Sequence, residues 1–231
     1  MIKNEKYDLI IPVFNEKNII SLLDYLFLNS KKILKIYICY DSYKDITIKK
    51  IENSNYNNSE RIILVQNPFD GPCEAVKAGI NKSRASSLII YPADDYDNAV
   101  ILDKMHNLFL EGNDIICPSR FMSGGKMENC PLIKYFIVKI ISFSLYNFSK
   151  IKVKDPTNGF RMFSKKMLDE ISIKSKDGFA YSLELLVKGS KKNYKIVELP
   201  SVWIEREDGK SNFKILKWSK QYLKWFFYAL I

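Results

Sequence analysis

The chain has 231 residues, of which 47% are hydrophobic and 27% charged, and this ordinary globular composition excludes a largely disordered chain. The formal net charge is +10, from 36 Lys and Arg residues against 26 Asp and Glu residues. This excess favours an anionic partner, which the charge alone leaves open among a nucleotide, a lipid phosphate, a membrane surface and a nucleic acid.

The chain has four cysteines without a CxxC pair and a single histidine, His106, so no zinc site built from Cys and His is expected. The N-terminus lacks the apolar core and cleavage site of a signal peptide. No run reaches 18 uninterrupted apolar residues, so we expect no ordinary transmembrane helix. A cytoplasmic protein with reduced thiols fits these features.

In chain order, the first half alternates strands and helices. The predicted strands are residues 7–13, 35–40, 61–66, 87–91 and 114–118. The predicted helices are about 16–28, capped by Asn15, then 72–82, opened by Gly71, and one around 101–109. This order predicts an α/β protein with a mostly parallel, twisted sheet and helices on both faces.

The second half is less regular, and no linker divides it from the first, so we expect one domain. Residues 131–149 and the Lys- and aromatic-rich stretch 213–231 favour amphipathic helices. Residues 160–163 favour a strand, 179–189 a helix and 194–204 an extended segment. The two amphipathic helices suit a membrane surface; the alternative is that they pack on the sheet with their lysines in water.

Polar residues follow the predicted parallel strands, whose carboxyl ends should meet at one rim where ligands bind. The acidic cluster Asp94, Asp95 and Asp97 suits Mg2+ or Mn2+, although one of these carboxylates is explained equally well as a helix cap. Asp41 suits a nucleotide base or ribose, and in isolation an Asx-type turn explains it better.

Other polar segments are open to two interpretations. The turn from Asp155 to Arg161 brackets a carboxylate and an arginine, which suits either a phosphate site or a turn closed by a salt bridge. The stretch 206–211 suits a mobile loop over a pocket or an exposed hairpin. The chain has only five arginines against 31 lysines, which suggests that Arg is used where a planar guanidinium is needed, as at a phosphate or carboxylate.

Taken in order, seven segments resemble the family 2 glycosyltransferases of GT-A fold, and most closely their dolichyl- or polyprenyl-phosphate mannose or glucose synthase branch. The segments are IPVFNE, CYDSYKDIT, NPFDGPCEAVKAG, DIICPSRF, DPTNGFRMFSKKMLDEI, GFAYSLELLVKGSKKNYKIVELP and REDGKSNF. Pro92 stands where the family has the first Asp of its D-x-D metal motif, and Asp94 stands at the second.

The resemblance implies a nucleotide-sugar half over about 1–120, with a GDP- or UDP-linked donor, and an acceptor half over about 121–231. It implies donor-binding residues Pro12, Phe14, Asn15, Glu16, Asp41, Gly71, Asp94 and Asp95. It implies metal ligands Asp94, Asp95 and Asp97 for Mg2+ or Mn2+, and catalytic residues Asp94, Asp155 and Arg120. Phosphate contacts would come from Arg120, Arg161, Arg206, Lys210 and Ser211.

The resemblance also implies inverting transfer to a polyprenyl phosphate at the cytoplasmic face of a membrane. Such a phosphate is already ionised, whereas a sugar hydroxyl would need a general base, for which Asp97 and Asp155 are the motif-borne candidates. The alternatives are transfer to a surface glycan under assembly and a non-catalytic nucleotide-sugar-binding protein. Nucleic-acid binding ranks last, because the chain has no helix-turn-helix, zinc or RNA-binding signature.

Overall fold

The computed structural model describes residues 5–204 and 215–231. Its core is a seven-stranded sheet with the order β3-β2-β1-β4-β7-β5-β8, in which only β7 runs antiparallel to its neighbours. The strands are β1 (Tyr7–Pro12), β2 (Ile33–Tyr40), β3 (Ile62–Gln66), β4 (Ser87–Ile90), β5 (Ile115–Ser119), β6 (Lys126–Glu128), β7 (Arg161–Ser164), β8 (Ile196–Pro200) and β9 (Val202–Ile204). Strands β6 and β9 form a separate parallel pair.

Helices cover both faces of the large sheet, as predicted. They are α1 (Ile19–Asn29), α2 (Ile46–Glu52), α3 (Pro72–Lys82), α4 (Leu102–Leu110), α5 (Leu132–Phe148), α6 (Lys165–Glu170), α7 (Ala180–Lys191) and α8 (Ile215–Leu230), with a 3-10 turn at Ala99–Ile101 before α4. In β1, Leu9 and Ile11 pack in one apolar cluster with α1, α2 and α4. Ile10 points to the opposite cluster, which contains α3, α7 and α8. Because β1 is buried on both faces, its sequence is continuously apolar from Leu9 to Pro12, after the buried Asp8.

The long elements predicted from the sequence are confirmed, with boundaries that agree to within three residues. The prediction missed α2, α6 and β6, which have seven, six and three residues and are too short to show a clear period. Among the described residues, no helix is both long enough and apolar enough to cross a membrane.

Helix α8 packs on the core through Trp225 and Ala229, and Trp225 also makes a specific hydrogen bond. Trp225 is buried, and its indole Nε1 donates a hydrogen bond of 2.8 Å to Ser175 Oγ. The backbone N–H of Ser175 in turn donates to Glu184 on α7, at 2.7 Å. The C-terminal helix therefore has a specific docking site on the apolar face formed with α7.

Helix α3 lies against β1 and β2 at a position where no side chain fits. A Cβ at Gly79 would lie 2.6 Å from Ile10 Cγ2 and 2.9 Å from Cys39 Sγ, well inside contact distance. Gly79 therefore serves close helix–sheet packing.

We expect Gly79→Ala to lower the free energy of unfolding by about 1–3 kcal/mol, because the added methyl group overpacks a dense core. Urea denaturation checks this. The matched control is Asn81→Ala in the exposed last turn of α3, which should change stability by less than about 0.5 kcal/mol. Equal effects of the two substitutions would contradict the packing role.

Candidate active site

The loops that follow β1, β2, β3 and β4 lie at one edge of the sheet, because these strands are parallel neighbours. Side-chain hydrogen bonds connect them. The Tyr96 hydroxyl after β4 donates to the Asn18 carbonyl after β1, at 2.9 Å. Asp41 after β2 accepts from the Asn67 side chain after β3, at 2.6 Å. The structure thus assembles the predicted rim.

The loop after β1 is held by a reciprocal clamp with the start of α2. The Asn15 backbone N–H donates to both carboxylate oxygens of buried Asp45, each at 3.0 Å. The Asn15 side chain accepts from the Ile46 N–H at 3.2 Å, and the Glu16 N–H donates to Thr47 Oγ1 at 2.9 Å. Asn15 has φ 55°, a left-handed conformation that Asn tolerates better than most residues.

The prediction that Asn15 caps α1 is therefore wrong. Helix α1 begins after Asn18, whose side chain makes no capping bond. The Asn15 side chain instead accepts from the Ile46 N–H at the start of α2, the helix whose N-cap residue is Asp45. With this clamp in place, the Phe14 side chain is 60% exposed at the rim, between Pro12 at the end of β1 and Glu16. The positions of these residues are set by the backbone contacts of the loop.

Asp41 and Gly71 act together to shape the loop after β3. Asp41 Oδ1 accepts from the Gly71 N–H at 3.0 Å as well as from Asn67. Gly71 has φ 105°, a conformation that L side chains rarely adopt, and no atom crowds the place of its missing Cβ. Backbone conformation, and not close packing, is the reason for glycine at this position.

The acidic loop after β4 separates its three carboxylates. Asp94 and Asp97 are exposed, whereas Asp95 is partly buried and uses both oxygens on Asn98, from the backbone N–H at 3.0 Å and the side-chain amide at 2.7 Å. Burial raises the pKa of Asp95 to about 6, although the bonds from Asn98 oppose that rise. Asp95 thus caps the turn that leads into α4, the alternative role considered for one carboxylate.

Within residues 5–204 and 215–231, no three His, Cys, Asp or Glu side chains come together as a metal cage. The predicted trio of Asp94, Asp95 and Asp97 is therefore not a preformed site. Mg2+ is commonly held by one or two carboxylates together with substrate phosphates and water. Exposed Asp94 fits that type of site, in which a bound diphosphate would complete the coordination.

Asn98 joins the acidic loop to β9. Its side-chain oxygen accepts from the Val202 N–H at 3.0 Å, and its side-chain nitrogen donates to the Val202 carbonyl at 2.6 Å. The Asn98 side chain therefore makes the two backbone hydrogen bonds to Val202 that a neighbouring strand would otherwise make. Because Asn98 also binds Asp95, the two carboxylate oxygens of Asp95 are fixed relative to β9.

Arg120 and Asp155 form a buried ion pair. Arg120 Nε lies 2.6 Å from Asp155 Oδ2 and Nη2 lies 2.8 Å from Oδ1, so the contact is bidentate. The Arg120 N–H donates to Oδ2 at 3.0 Å, and Nη2 also donates to Thr157 Oγ1 at 2.9 Å. Burial alone would raise the pKa of Asp155, but the Arg120 guanidinium outweighs it and lowers this pKa below its usual range.

This pairing limits what the two residues can do. Asp155 is fully buried and satisfied by hydrogen bonds, so it is not placed to accept a proton from a substrate hydroxyl. The described hydrogen bonds of the Arg120 guanidinium use Nε and Nη2. Its Nη1 is the nitrogen with which Arg120 would contact a ligand.

The predicted phosphate role of Arg161 does not fit this conformation. Arg161 is fully buried in β7, and Nη1 donates to the Ser182 carbonyl at 2.9 Å and hydroxyl at 3.1 Å. Nη2 donates to the carbonyls of Asp155 and Pro156, each at 3.4 Å. Arg161 therefore fixes the turn before β7 against α7. Arg206, Lys210 and Ser211 lie outside the described residues.

A cavity of about 510 Å³ opens beside the acidic loop and Arg120. Its walls are mostly apolar and come from α5, the turn before β7, α7, β9 and α8. Polar groups are placed at Asp95, Asn98, Arg120 and Lys134. Lys134 Nζ lies 4.3 Å from the ring centroid of Trp203, also in the wall. The cavity thus combines an apolar surface with two cations close to the rim.

Sequence reasoning missed four residues that shape this site: Asp45, Thr47, Asn98 and Lys134. Asp45 and Thr47 lie in the CYDSYKDIT segment, whose regular spacing of Asp and Thr was a usable signal. Asn98 and Lys134 carried no signal, because their partners Val202 and Trp203 are remote along the chain.

Residues 8–172 match the family described as Glycosyl transferase family 2. The chain is 28% identical over 213 residues to a dolichol-phosphate mannosyltransferase of Pyrococcus furiosus, covering 90% of this chain and 59% of that protein. It is 23% identical over 145 residues to a polyprenol monophosphomannose synthase of Mycolicibacterium smegmatis, covering 58% and 55%. The chain thus spans less than two thirds of the length of either relative.

The fold is similar to that of glucosyl-3-phosphoglycerate synthase from Mycobacterium tuberculosis, solved with Mn2+, UDP-glucose and phosphoglyceric acid. The TM-score is 0.73 at 12% identity, over 98% of this chain and 80% of that one. A second structure of that enzyme, with Mn2+, UDP and glucosyl-3-phosphoglycerate, gives 0.72 at 13% identity, over 98% and 81%. This likeness establishes the GT-A fold, and the match over residues 8–172 shows that the chain belongs to glycosyl transferase family 2.

Proposed function

We propose that this chain transfers a hexose from a nucleotide sugar to the phosphate of a polyprenyl-type lipid, with inversion at the anomeric carbon. The observation that carries the proposal is the apolar cavity with Arg120 and Lys134 in its wall, directly beside the acidic loop. Such a cavity suits a ligand with a hydrocarbon chain and an anionic head. The names of the two relatives support the same acceptor class.

On the donor side, the loops after β1, β2 and β3 would bind a GDP- or UDP-linked sugar. Phe14 and Glu16 lie at the rim formed by these loops, and Asp41 fixes the loop that contains Gly71. Asp94 would hold Mg2+ or Mn2+, which would neutralise negative charge on the diphosphate leaving group. Asp94 and Asp97 are both exposed, and Asp94 is preferred because it stands at the second Asp of the D-x-D motif.

On the acceptor side, Arg120 Nη1 and Lys134 would hold the lipid phosphate. Asp155 holds the Arg120 guanidinium through two hydrogen bonds, so the orientation of the guanidinium plane is set before a ligand binds. This preorganisation reduces the cost of ordering a long side chain on binding. Ile137, Leu183 and Phe226 are among the wall residues available to the first part of the lipid chain.

In the proposed reaction, a phosphate oxygen of the acceptor attacks the anomeric carbon of the sugar. A new carbon–oxygen bond forms, while the bond from that carbon to the diphosphate breaks. The nucleoside diphosphate leaves with the bonding electrons on the opposite side. An ionised phosphate has no proton to give up, so no general base is needed, which agrees with the engagement of Asp155 by Arg120.

We expect the reaction at the cytoplasmic face of a membrane, with no nucleic-acid partner. The direct experiment measures transfer from a panel of GDP- and UDP-sugars to a short, soluble polyprenyl phosphate, with and without Mn2+ or Mg2+. Metal-dependent transfer would identify the donor. Donor binding with transfer only to a glycan would replace the lipid by the alternative acceptor, and binding without any transfer would indicate a non-catalytic protein.

We expect Asp94→Ala to lower the transfer rate at least about a hundredfold, because the negative charge that develops on the leaving group would lose its stabilisation. Steady-state kinetics at saturating metal checks this. The matched control is Asp169→Ala on α6, an exposed carboxylate paired with Lys165, which should leave the rate unchanged. Loss of activity on Asp97→Ala but not on Asp94→Ala would contradict the metal assignment.

We expect Asp155→Asn to lower the free energy of unfolding by about 3–5 kcal/mol at pH 7, because it leaves the Arg120 charge buried without its partner. The lowered pKa of Asp155 means that wild type keeps this stabilisation above the unfolded pKa near 4 and loses it as the pH falls through the folded pKa. The difference between wild type and variant should therefore shrink in acid.

Urea denaturation at pH 7 and below pH 4 measures both effects. Asp169→Asn, which breaks the exposed Lys165–Asp169 pair at i,i+4, is the control and should cost no more than about 0.5 kcal/mol. A small loss on Asp155→Asn at pH 7 would show that the pair does not stabilise the fold.

A further inference from the structure

Ser175, in the loop between α6 and α7, connects three helices through its polar groups. Its backbone N–H donates to Glu184 Oε2 on α7 at 2.7 Å. Its carbonyl accepts from Lys77 Nζ and Cys73 Sγ on α3, at 2.8 Å and 3.2 Å. Its hydroxyl oxygen accepts from Trp225 Nε1 on α8 at 2.8 Å. Because Ser175 is fully buried, bulk water cannot take the place of these partners.

The loop at Ser175 is held against α7 by a buried carboxylate. Glu184 is fully buried, and its second oxygen, Oε1, accepts from the Lys174 N–H at 2.6 Å. Lys188 forms an ion pair with the same carboxylate, and its Nζ also donates to the Ser172 carbonyl at 2.7 Å. A buried charge needs partners of this kind, so the loop has little freedom to move away from α7.

The α3 contacts of Ser175 lie next to the donor loop. Cys73 is the second residue of α3 and Lys77 lies four residues later, so both side chains are on the same face of the helix. Helix α3 begins directly after Gly71, whose N–H donates to Asp41 at 3.0 Å. A ligand that orders the Gly71 loop therefore also restrains the two groups that bind Ser175.

The α8 contact of Ser175 lies next to the apolar cavity. Trp225 is buried, and its indole N–H is directed at the Ser175 hydroxyl. Tyr222 and Phe226, which lie three residues before Trp225 and one residue after it, line the cavity. The hydrogen bond between Trp225 and Ser175 therefore helps to position this wall of the cavity.

Apolar packing also joins these helices, because Cys73, Val76 and Trp225 belong to one buried cluster. The free energy of such packing depends on the buried area and has little directional character. A hydrogen bond is directional, and it weakens steeply when its angle becomes poor. The bonds of Ser175 therefore specify where α3 and α8 lie relative to each other more narrowly than the packing does.

We propose that Ser175 is a positioning residue that couples nucleotide binding at the donor loop to the docking of α8 beside the cavity. Binding that orders one of several connected elements lowers the cost of ordering the others, and it needs no large movement. A nucleotide that restrains α3 thus stabilises the docked α8, and Ser175 transmits the effect. The inference rests on the proposed function only in placing the nucleotide at the donor loop.

The test is hydrogen–deuterium exchange of the α8 amides, measured with and without GDP or UDP in the presence of Mn2+. We expect the nucleotide to slow exchange in α8 at least about fivefold, which is at the lower end of coupling between two sites. Calorimetry under the same conditions measures whether the nucleotide binds. A bound nucleotide that leaves α8 exchange unchanged would overturn the inference.

Lys77→Met removes the strong donor to the Ser175 carbonyl and leaves the Trp225 hydrogen bond in place. The remaining Cys73 thiol is a weak donor. We expect the nucleotide to slow α8 exchange less than about twofold in this variant, while exchange without nucleotide keeps the wild-type rate. The matched control is Lys82→Met, an exposed lysine in the last turn of α3, which should retain the full effect. Equal protection in the two variants would contradict the role of Ser175.

Coupling is reciprocal, so loss of α8 docking must weaken nucleotide binding by the same factor. Trp225→Ala should therefore raise the nucleotide Kd about fivefold, whereas Phe227→Ala, which changes an exposed aromatic residue of α8, should leave it unchanged. In the Lys77→Met background, Trp225→Ala should have no further effect on the Kd, because the connection is already broken. An unchanged Kd in Trp225→Ala would overturn the inference, since a purely structural role predicts a loss of stability alone.

None of these measurements needs an acceptor. Protection of α8 by a nucleotide, together with no transfer to the soluble polyprenyl phosphate, would contradict the proposed function and leave this inference standing. Transfer with α8 exchange unaffected by bound nucleotide would do the reverse. Absence of nucleotide binding would overturn both, and calorimetry identifies that case.

Discussion

The buried ion pair between Arg120 and Asp155 is the interaction on which the wall of the apolar cavity depends. A charge removed from water must be matched by a partner and hydrogen bonds, so the surrounding backbone has little freedom. Asp155 accepts from the backbone and side chain of Arg120, while its own N–H donates to Glu198 on β8 at 3.1 Å. The end of β5, the turn before β7 and β8 are thereby fixed together. The Thr157–Phe160 wall of the cavity follows from that arrangement.

The same principle applies on the donor side, where most of the carboxylates hold the backbone. Loop N–H groups at the end of a sheet have no strand partner and need another acceptor. Asp45 supplies one to Asn15, Asp41 to Gly71, and Asp95 to Asn98. The number of acidic residues in these loops is therefore larger than the number of carboxylates that a ligand could contact. Asp94 and Asp97 are the exposed members of the acidic loop, and of these Asp94 stands at the second Asp of the D-x-D motif.

The parallel core was predictable because strands buried on both faces are rich in consecutive apolar residues, as in Leu9 to Pro12 of β1 and Leu88 to Ile90 of β4. The direction of β7 was not, since the apolar character of FRMF is the same for either orientation.

Motif order located the rim correctly, but it could not show how individual side chains pair. Arg120 lies 35 residues from Asp155, and Asn98 lies 104 residues from Val202. Such pairings are set by tertiary packing, and no local pattern encodes them. The buried position of Arg161 was missed for the same reason. The scarcity of arginine did indicate that Arg120 uses its planar guanidinium for a bidentate contact.

The distribution of charge gives the proposed reaction its physical logic. Transfer from a diphosphate to a phosphate brings two anions to bonding distance, and their repulsion must be cancelled in a partly desolvated site. The two sides of the proposed site would do this by different means. On the donor side, an exposed carboxylate such as Asp94 would need a divalent cation before a diphosphate could bind beside it. On the acceptor side, the apolar cavity carries Lys134 together with the ion pair of Arg120 and Asp155. An anionic head with a hydrocarbon chain suits this environment, because the lysine attracts the anion and the apolar walls cover the chain.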